Sequence, residues 1–199
     1  MSVDKPRIER LTRELLEAIG EDPERPGLKQ TPARMAELYA EFFAGVGEDA
    51  AAPLERTISV SQGPAPDTLP SGAVLLRDIR FRSVCEHHLL PFAGHAHLAY
   101  LPGEQVVGLG ALVKVVEVLA ARPQVQERLG EQIADAIDQK LDTRGVLVVL
   151  DAVHGCVTMR GGRQSEASTL TIAARGAFTD PVARAELITL IGRPAGGAL

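Results

Sequence analysis

Between Ala73 and Gly176 the hydrophobic period changes twice, and this order of elements constrains the fold more than any other feature of the chain. Residues 74–76 and 79–84 read as strand. After a turn at Leu90-Pro91-Phe92-Ala93-Gly94, the alternating run 95–100 reads as their hairpin partner. Two helical stretches follow. The first spans about 110–121 with Leu112, Val115, Val116 and Leu119 on one face, and the second begins near Pro123 and carries Leu129, Ile133, Ala136, Ile137 and Leu141. A second strand pair, 146–159 and 168–174, closes the segment. The order β-β-α-α-β-β predicts an α+β class, with an antiparallel sheet carrying two helices on one face.

Residues 1–46 form an N-terminal helical segment in this reading. Ile8, Leu11, Leu15 and Ile19 recur at helical spacing behind Asp4 as N-cap, with Pro6 in the first turn. The string GEDPERPG breaks the helix, and Thr31-Pro32 restarts it with Met35, Leu38, Tyr39, Phe42 and Phe43 as an apolar packing face. Residues 47–72, rich in Ala, Pro, Gly and Asp, read as a connector around a short strand at 57–60. The main domain spans 73–180, and 181–199 reads as a C-terminal helix and tail.

The densest chemical signal is Cys85-Glu86-His87-His88. A Cys-x2-His spacing in a tight turn lets both side chains face one ion. Cys156 is the only other thiol and follows His154 by two residues, so on a strand the two would share a face. Cys85, His88 and Cys156 then make three ligands, with His87 and His154 beside them. Three protein ligands and an open position are the arrangement of catalytic zinc, which makes bound water acidic near neutral pH. The spare histidines titrate in the range needed to shuttle protons. The competing readings are a turn with incidental polar residues, or a Cys85–Cys156 disulfide. Two cysteines in a chain of cytosolic composition disfavour the disulfide.

Other polar residues keep two readings each. His95 and His97 alternate on one strand and read as sheet-packing or solvent-facing groups rather than a second metal site. Glu86 reads as a surface acid rather than a group that supports the metal ligands from behind. Gln126 and Glu127 open a helix whose dipole favours the carboxylate, or else they present an amide and a carboxylate to the amidine-like edge of guanine. Arg34, Lys114, Arg160 and Arg163 are anion contacts or solvated surface charges; Arg160, on the His154 parity, suits an anion clamp.

Composition narrows the partners. A net charge of −5 over 199 residues leaves no electrostatic footprint for nucleic acid or an anionic membrane, and 45% hydrophobic content argues against disorder. No run approaches the ~20 apolar residues of a membrane span. The N-terminal string lacks the apolar core of a signal peptide, so a soluble cytoplasmic protein is expected.

The strings GEDPERPGL, TPARMAELYAEFFAGV, RDIRFRSVCEHHLLPFAGHAHLAYLP, VVGL, RPQVQERL, DAVHGCVTMRG and RGAF together resemble the GTP cyclohydrolase I family across most of residues 18–178. The resemblance implies a tunnelling fold in which several subunits close into an oligomeric barrel, a homodecamer with active sites between subunits. It implies Zn2+ on Cys85, His88 and Cys156, and a guanine nucleotide as substrate. Water activated at the metal attacks C8 of guanine in that family. The imidazole ring opens with loss of formate, and rearrangement of the sugar followed by ring closure gives 7,8-dihydroneopterin triphosphate. By the same resemblance His154 is the principal proton-transfer group and His87 a second one beside the ribose. Glu127 grips the guanine edge with Gln126 next to it, and Arg160 and Arg34 match triphosphate positions.

One departure bears on the substrate. Where the family commonly reads GLSKLxRIV, this chain has Gly108-Leu109-Gly110-Ala111-Leu112-Val113-Lys114-Val115-Val116. The Ser and Lys that contact the triphosphate are Gly110 and Ala111, and the Arg is Lys114, which gives up a bidentate fork. At about 1.5–3 kcal/mol for a hydrogen bond involving charge, the loss would weaken triphosphate binding tenfold or more unless Arg34, Arg160, Arg163 and helix amides suffice without those contacts. The alternatives to ordinary GTP turnover are a paralogue acting on a guanine nucleotide with fewer phosphates or a modified base, or a non-catalytic pterin- or nucleotide-binding assembly.

Overall fold

The computed structural model describes residues 3–59, 72–159 and 166–192. Two helices come first, α1 (Lys5–Ala18) and α2 (Thr31–Phe42). The Asp4 carboxylate accepts from the Arg7 N–H at 3.1 Å, satisfying one of the amides that a helix start leaves open. A short strand β1 (Thr57–Ser59) pairs antiparallel with β4 (Gln105–Val107), a partner the apolar pattern does not announce. Val60, Arg160 and Arg163 lie outside the described residues.

The body consists of β2 (Val74–Cys85), β3 (Pro91–Leu101), α3 (Leu109–Ala120), β5 (Pro123–Gln124), α4 (Gln126–Leu141), β6 (Gly145–His154), the single turn α5 (Gly155–Thr158), β7 (Thr169–Gly176) and α6 (Pro181–Ile191). Five strands form one sheet in the order β5-β2-β3-β6-β7. It is antiparallel throughout except for the two-residue parallel pairing of β5 with β2. This is the mixed α+β class expected from the order of elements. No described helix is long and apolar enough to cross a membrane.

Side-chain parity shows where the core lies. Phe92, Ala96, Leu98 and Tyr100 of β3 share a face with Val146, Val148 and Leu150 of β6, and pack with Leu112, Val115, Val116 and Leu119 of α3 and with Leu129, Ile133 and Ile137 of α4. The opposite parity, Ala99, Leu101, Leu147 and Val149, packs with Phe178 and with Ala183 and Leu187 of α6. Burying such side chains contributes about 1.5–3 kcal/mol each, which fixes the register.

Three local readings are corrected. The hairpin turn falls at 86–88 rather than at 90–94, and β3 starts at Pro91. Helix α4 starts at Gln126, because Pro123 and Gln124 first add a parallel pair to β2. The strand expected to run through Met159 ends at His154, where the backbone enters α5. Cys156 therefore sits on a helical turn, and the strand parity used to pair it with His154 does not apply.

Between Leu76 and Ile79 the β2–β3 register shifts through a bulge, with Asp78 at φ 60°. The Asp78 N–H, released from the ladder, donates to His97 Nδ1 at 3.2 Å. That bond needs an unprotonated Nδ1, so His97 is a sheet-packing residue, one of the two roles expected of it. Burial pushes its pKa down, with His95 and Arg77 acting the same way and Asp78 and Asp151 opposing. As pH falls, the unfolded chain takes up this proton first, near its ordinary pKa of about 6.5. The contribution to stability is whole above that pH and is lost as pH falls below it toward the folded pKa. The denaturation midpoint should therefore drop between pH 7 and pH 5, and drop less in His97→Gln. Equal pH slopes for the two proteins would refute this role.

Candidate active site

The end of β2 and the turn after it create the site. The Cys85 N–H donates to Leu90 O and Leu89 N–H donates back to Cys85 O, both at 2.8 Å, with Leu89 at φ 52°. These bonds close the Cys85–Leu90 loop and leave His87 and His88 exposed beside a buried Cys85. Pairing of β3 with β6 sets Phe92 opposite His154, and α5 then carries Cys156 to the same end of the sheet.

The Sγ atoms of Cys85 and Cys156 and a ring nitrogen of His88 all lie within 4.8 Å of one another. The two thiols are not joined in a disulfide. Two thiols and an imidazole, gathered from segments far apart in sequence, fit the donor set of tetrahedral zinc, and three donors leave a position open. The His87 ring lies 6.3 Å from that of His88. Glu86 is exposed, as expected of a surface acid, and its carboxylate pairs with Arg128 and approaches His87 Nε2 at 3.9 Å.

His154 is held on two sides. Its ring stacks on Phe92 with centroids 4.5 Å apart and planes 5° from parallel, and Nε2 lies 2.7 Å from Gln126 Oε1. Burial pushes its pKa down, and the nearby Glu127 carboxylate works against that shift. Glu127 itself lines a small pocket with Gly130, Glu131, Thr171, Ile172 and Ala173. Gln126, expected beside the base, is instead 1% exposed, with its amide consumed by the protein.

The phosphate candidates stand elsewhere. Lys114 borders a cleft of about 780 Å³ between α2, β2 and α3, which also holds Arg80 and Arg82 against Glu41, Glu48 and Glu117. Lys114 bonds Glu117 at 3.0 Å, and Arg82 pairs with Glu41. Arg34 lies on α2 and bonds Gln30 at 2.8 Å. The residues read from the sequence thus fall into a metal-and-histidine cluster, a carboxylate pocket and a cleft of mixed charge that takes Lys114 but not Arg34, each lined by different side chains.

The model of the GTP cyclohydrolase I family matches residues 8–192. The chain belongs to the GTP cyclohydrolase I family. It is 61% identical over 189 residues to "GTP cyclohydrolase 1" of Leifsonia xyli subsp. xyli, covering 95% of this chain and 96% of that one. The protein of the same name from Rhodopirellula baltica is 52% identical over 194 residues, covering 97% of this chain and 81% of that one. That from Bacillus subtilis is 49% identical over 193 residues, with 96% and 97% covered. Two contacts at this GTP cyclohydrolase I site have no signature in the string alone: Phe92 as the platform for His154, and the hold on Gln126 by β6 and β7. A stack and a buried amide depend on strand register, which local spacing does not reveal.

Proposed function

We propose that this chain is a zinc hydrolase that opens the imidazole ring of GTP, releases formate and yields 7,8-dihydroneopterin triphosphate. The convergence of Cys85, His88 and Cys156 beside His154, in a chain 61% identical to a protein named GTP cyclohydrolase 1, carries this reading. A zinc ion held there supplies Lewis acidity and lowers the pKa of bound water toward neutrality.

The protein side chains have separate tasks in this reading. Glu127 accepts from the amidine-like edge of guanine and so orients the base. His154, half-buried and stacked, moves protons at the reacting ring, and His87 does so nearer the ribose. Lys114, Arg34 and Arg160 hold the triphosphate. Lys114 and Glu127 line different cavities of one chain. That separation supports sites completed between copies of the chain.

Sheet edges support the same assembly. β5 covers only Val84 and Cys85 on one edge of β2, and β7 ends the other side of the sheet. Because β2 and β7 run in opposite directions, the β7 of one copy can add to the β2 of the next with the alternation unbroken. Repetition closes a barrel, which removes unpaired edges altogether. We assign this tunnelling architecture to residues 73–180 and a homodecamer as the assembled form, with 1–46, 47–72 and 181–199 as appended segments.

The test is turnover. Zinc-loaded protein should release formate from GTP and give a fluorescent pterin after oxidation; failure on every guanine nucleotide would overturn the reading. Gly110 and Ala111 favour a second reading in which the same ring opening acts on a nucleotide with fewer phosphates. Comparing kcat/KM for GTP, GDP, GMP and guanosine decides between them. We expect GTP to lead, and a lead of GMP or guanosine by tenfold would select the second reading.

A further inference from the structure

The Gln126 amide has one possible orientation. Its Nε2 stands 3.0 Å from Leu150 O, 2.8 Å from Thr169 O and 3.2 Å from Thr171 Oγ1. Two of these are backbone carbonyls, which only accept. Turning the amide over would set its oxygen against both of those carbonyls, at a residue that is 1% exposed, and would lose the two hydrogen bonds they accept. The nitrogen therefore faces β6 and β7, and the oxygen faces His154 Nε2 at 2.7 Å. An amide oxygen only accepts, so the hydrogen in that contact belongs to the imidazole. A half-turn of the ring on Phe92 would keep the stack but present Cε1, a far weaker donor, to Gln126.

We propose that Gln126 is a positioning residue that holds His154 as its Nε2–H tautomer, so that Nδ1 is the nitrogen that takes and returns protons in the GTP turnover proposed above. The chain of constraint starts in the sheet. Leu150 O and Thr169 O lie on paired strands β6 and β7, they orient the amide, and the amide orients the ring. Each neutral imidazole has one donor nitrogen and one acceptor nitrogen, and the second is set by the partner of the first. Gln126 thus acts through His154 and touches no substrate atom, a different task from that of its neighbour Glu127.

Two measurements test this. The first needs no change at Gln126. Nitrogen-15 solid-state NMR of zinc-loaded, histidine-labelled protein, differenced against His154→Asn and recorded with pH raised until the ring is neutral, should show the remaining proton of His154 on Nε2. A neutral ring protonated mainly on Nδ1 would overturn the proposal. The second is kinetic. Gln126→Met keeps side-chain length but removes the acceptor, so kcat for GTP should fall about 10²-fold, with KM within about threefold and zinc content unchanged. An unchanged kcat in Gln126→Met, or a rise in KM alone, would overturn the positioning role; should that variant not fold, the NMR result decides. Wild-type protein that turns over no guanine nucleotide would remove the GTP reading and leave the tautomer measurement standing.

Discussion

Cys156→Ala is expected to lose the metal and, with it, at least about 10³-fold in formate release from GTP. Substitutions of groups that only support metal ligands already cost 10- to 100-fold as a rule, so loss of a ligand should exceed that range. The remaining pair, Cys85 and His88, belongs to one turn, and two donors hold a divalent ion far less well than three. Folding should survive, because Cys156 is only partly buried on a single helical turn at the end of β6. The variant should therefore show wild-type circular dichroism and assembly size but little zinc per chain. Full activity at wild-type zinc content would sink the ligand assignment. Substoichiometric zinc with activity in proportion would instead mean that Cys156 contributes affinity alone.

Gly94→Ala should have the largest effect on stability. A Cβ at this position would lie 1.9 Å from Asp151 O and 2.6 Å from Ala152 Cα. Both are backbone atoms of the paired strand, so no side-chain rotation relieves the contact. β3 and β6 must separate at their Gly94–Ala152 pair. Overpacking commonly costs 1–3 kcal/mol, and a clash with a central ladder should exceed about 3 kcal/mol. The damage should reach the chemistry as well, since the next pair on that face is Phe92 with His154. Denaturant titration and GTP turnover on the same preparation test both parts. A variant as stable and active as the wild type would mean that β3 and β6 do not pair in this register.

These effects also show how far spacing alone reaches. The two helices between strand pairs were legible because Leu112, Val115, Val116, Leu129, Ile133 and Ile137 repeat at helical period and do bury together. The metal donors were legible because cysteine and histidine are rare and their chemistry is narrow. The geometry that joins them was not. Strand parity pairs Cys156 with His154, whereas the chain turns helical at Gly155 and delivers the thiol by another route. Gly94, read as part of a turn, is a mid-strand position whose missing side chain lets two strands approach. Gln126 carried a base-binding reading from its neighbour Glu127, and only the positions of Leu150 and Thr169 show that its amide is already spent. For Gly94 and Gln126 the deciding contact comes from a strand remote in sequence.

The bulge in β2 decides more than the fate of one histidine. Before it, even-numbered Val74 and Leu76 pack toward α3 and α4; after it, odd-numbered Ile79, Phe81 and Cys85 do so. One extra residue has advanced the pleat by half a period, seven residues upstream of the metal turn. Remove that residue and the alternation would run on unbroken, aiming Arg80 and Arg82 at the core and turning Cys85 away from His88 and Cys156. The pleat is in effect a counter, and the bulge sets its starting value. An insertion or deletion anywhere between residues 77 and 84 should thus disable metal binding without touching a ligand, whereas a substitution there need not.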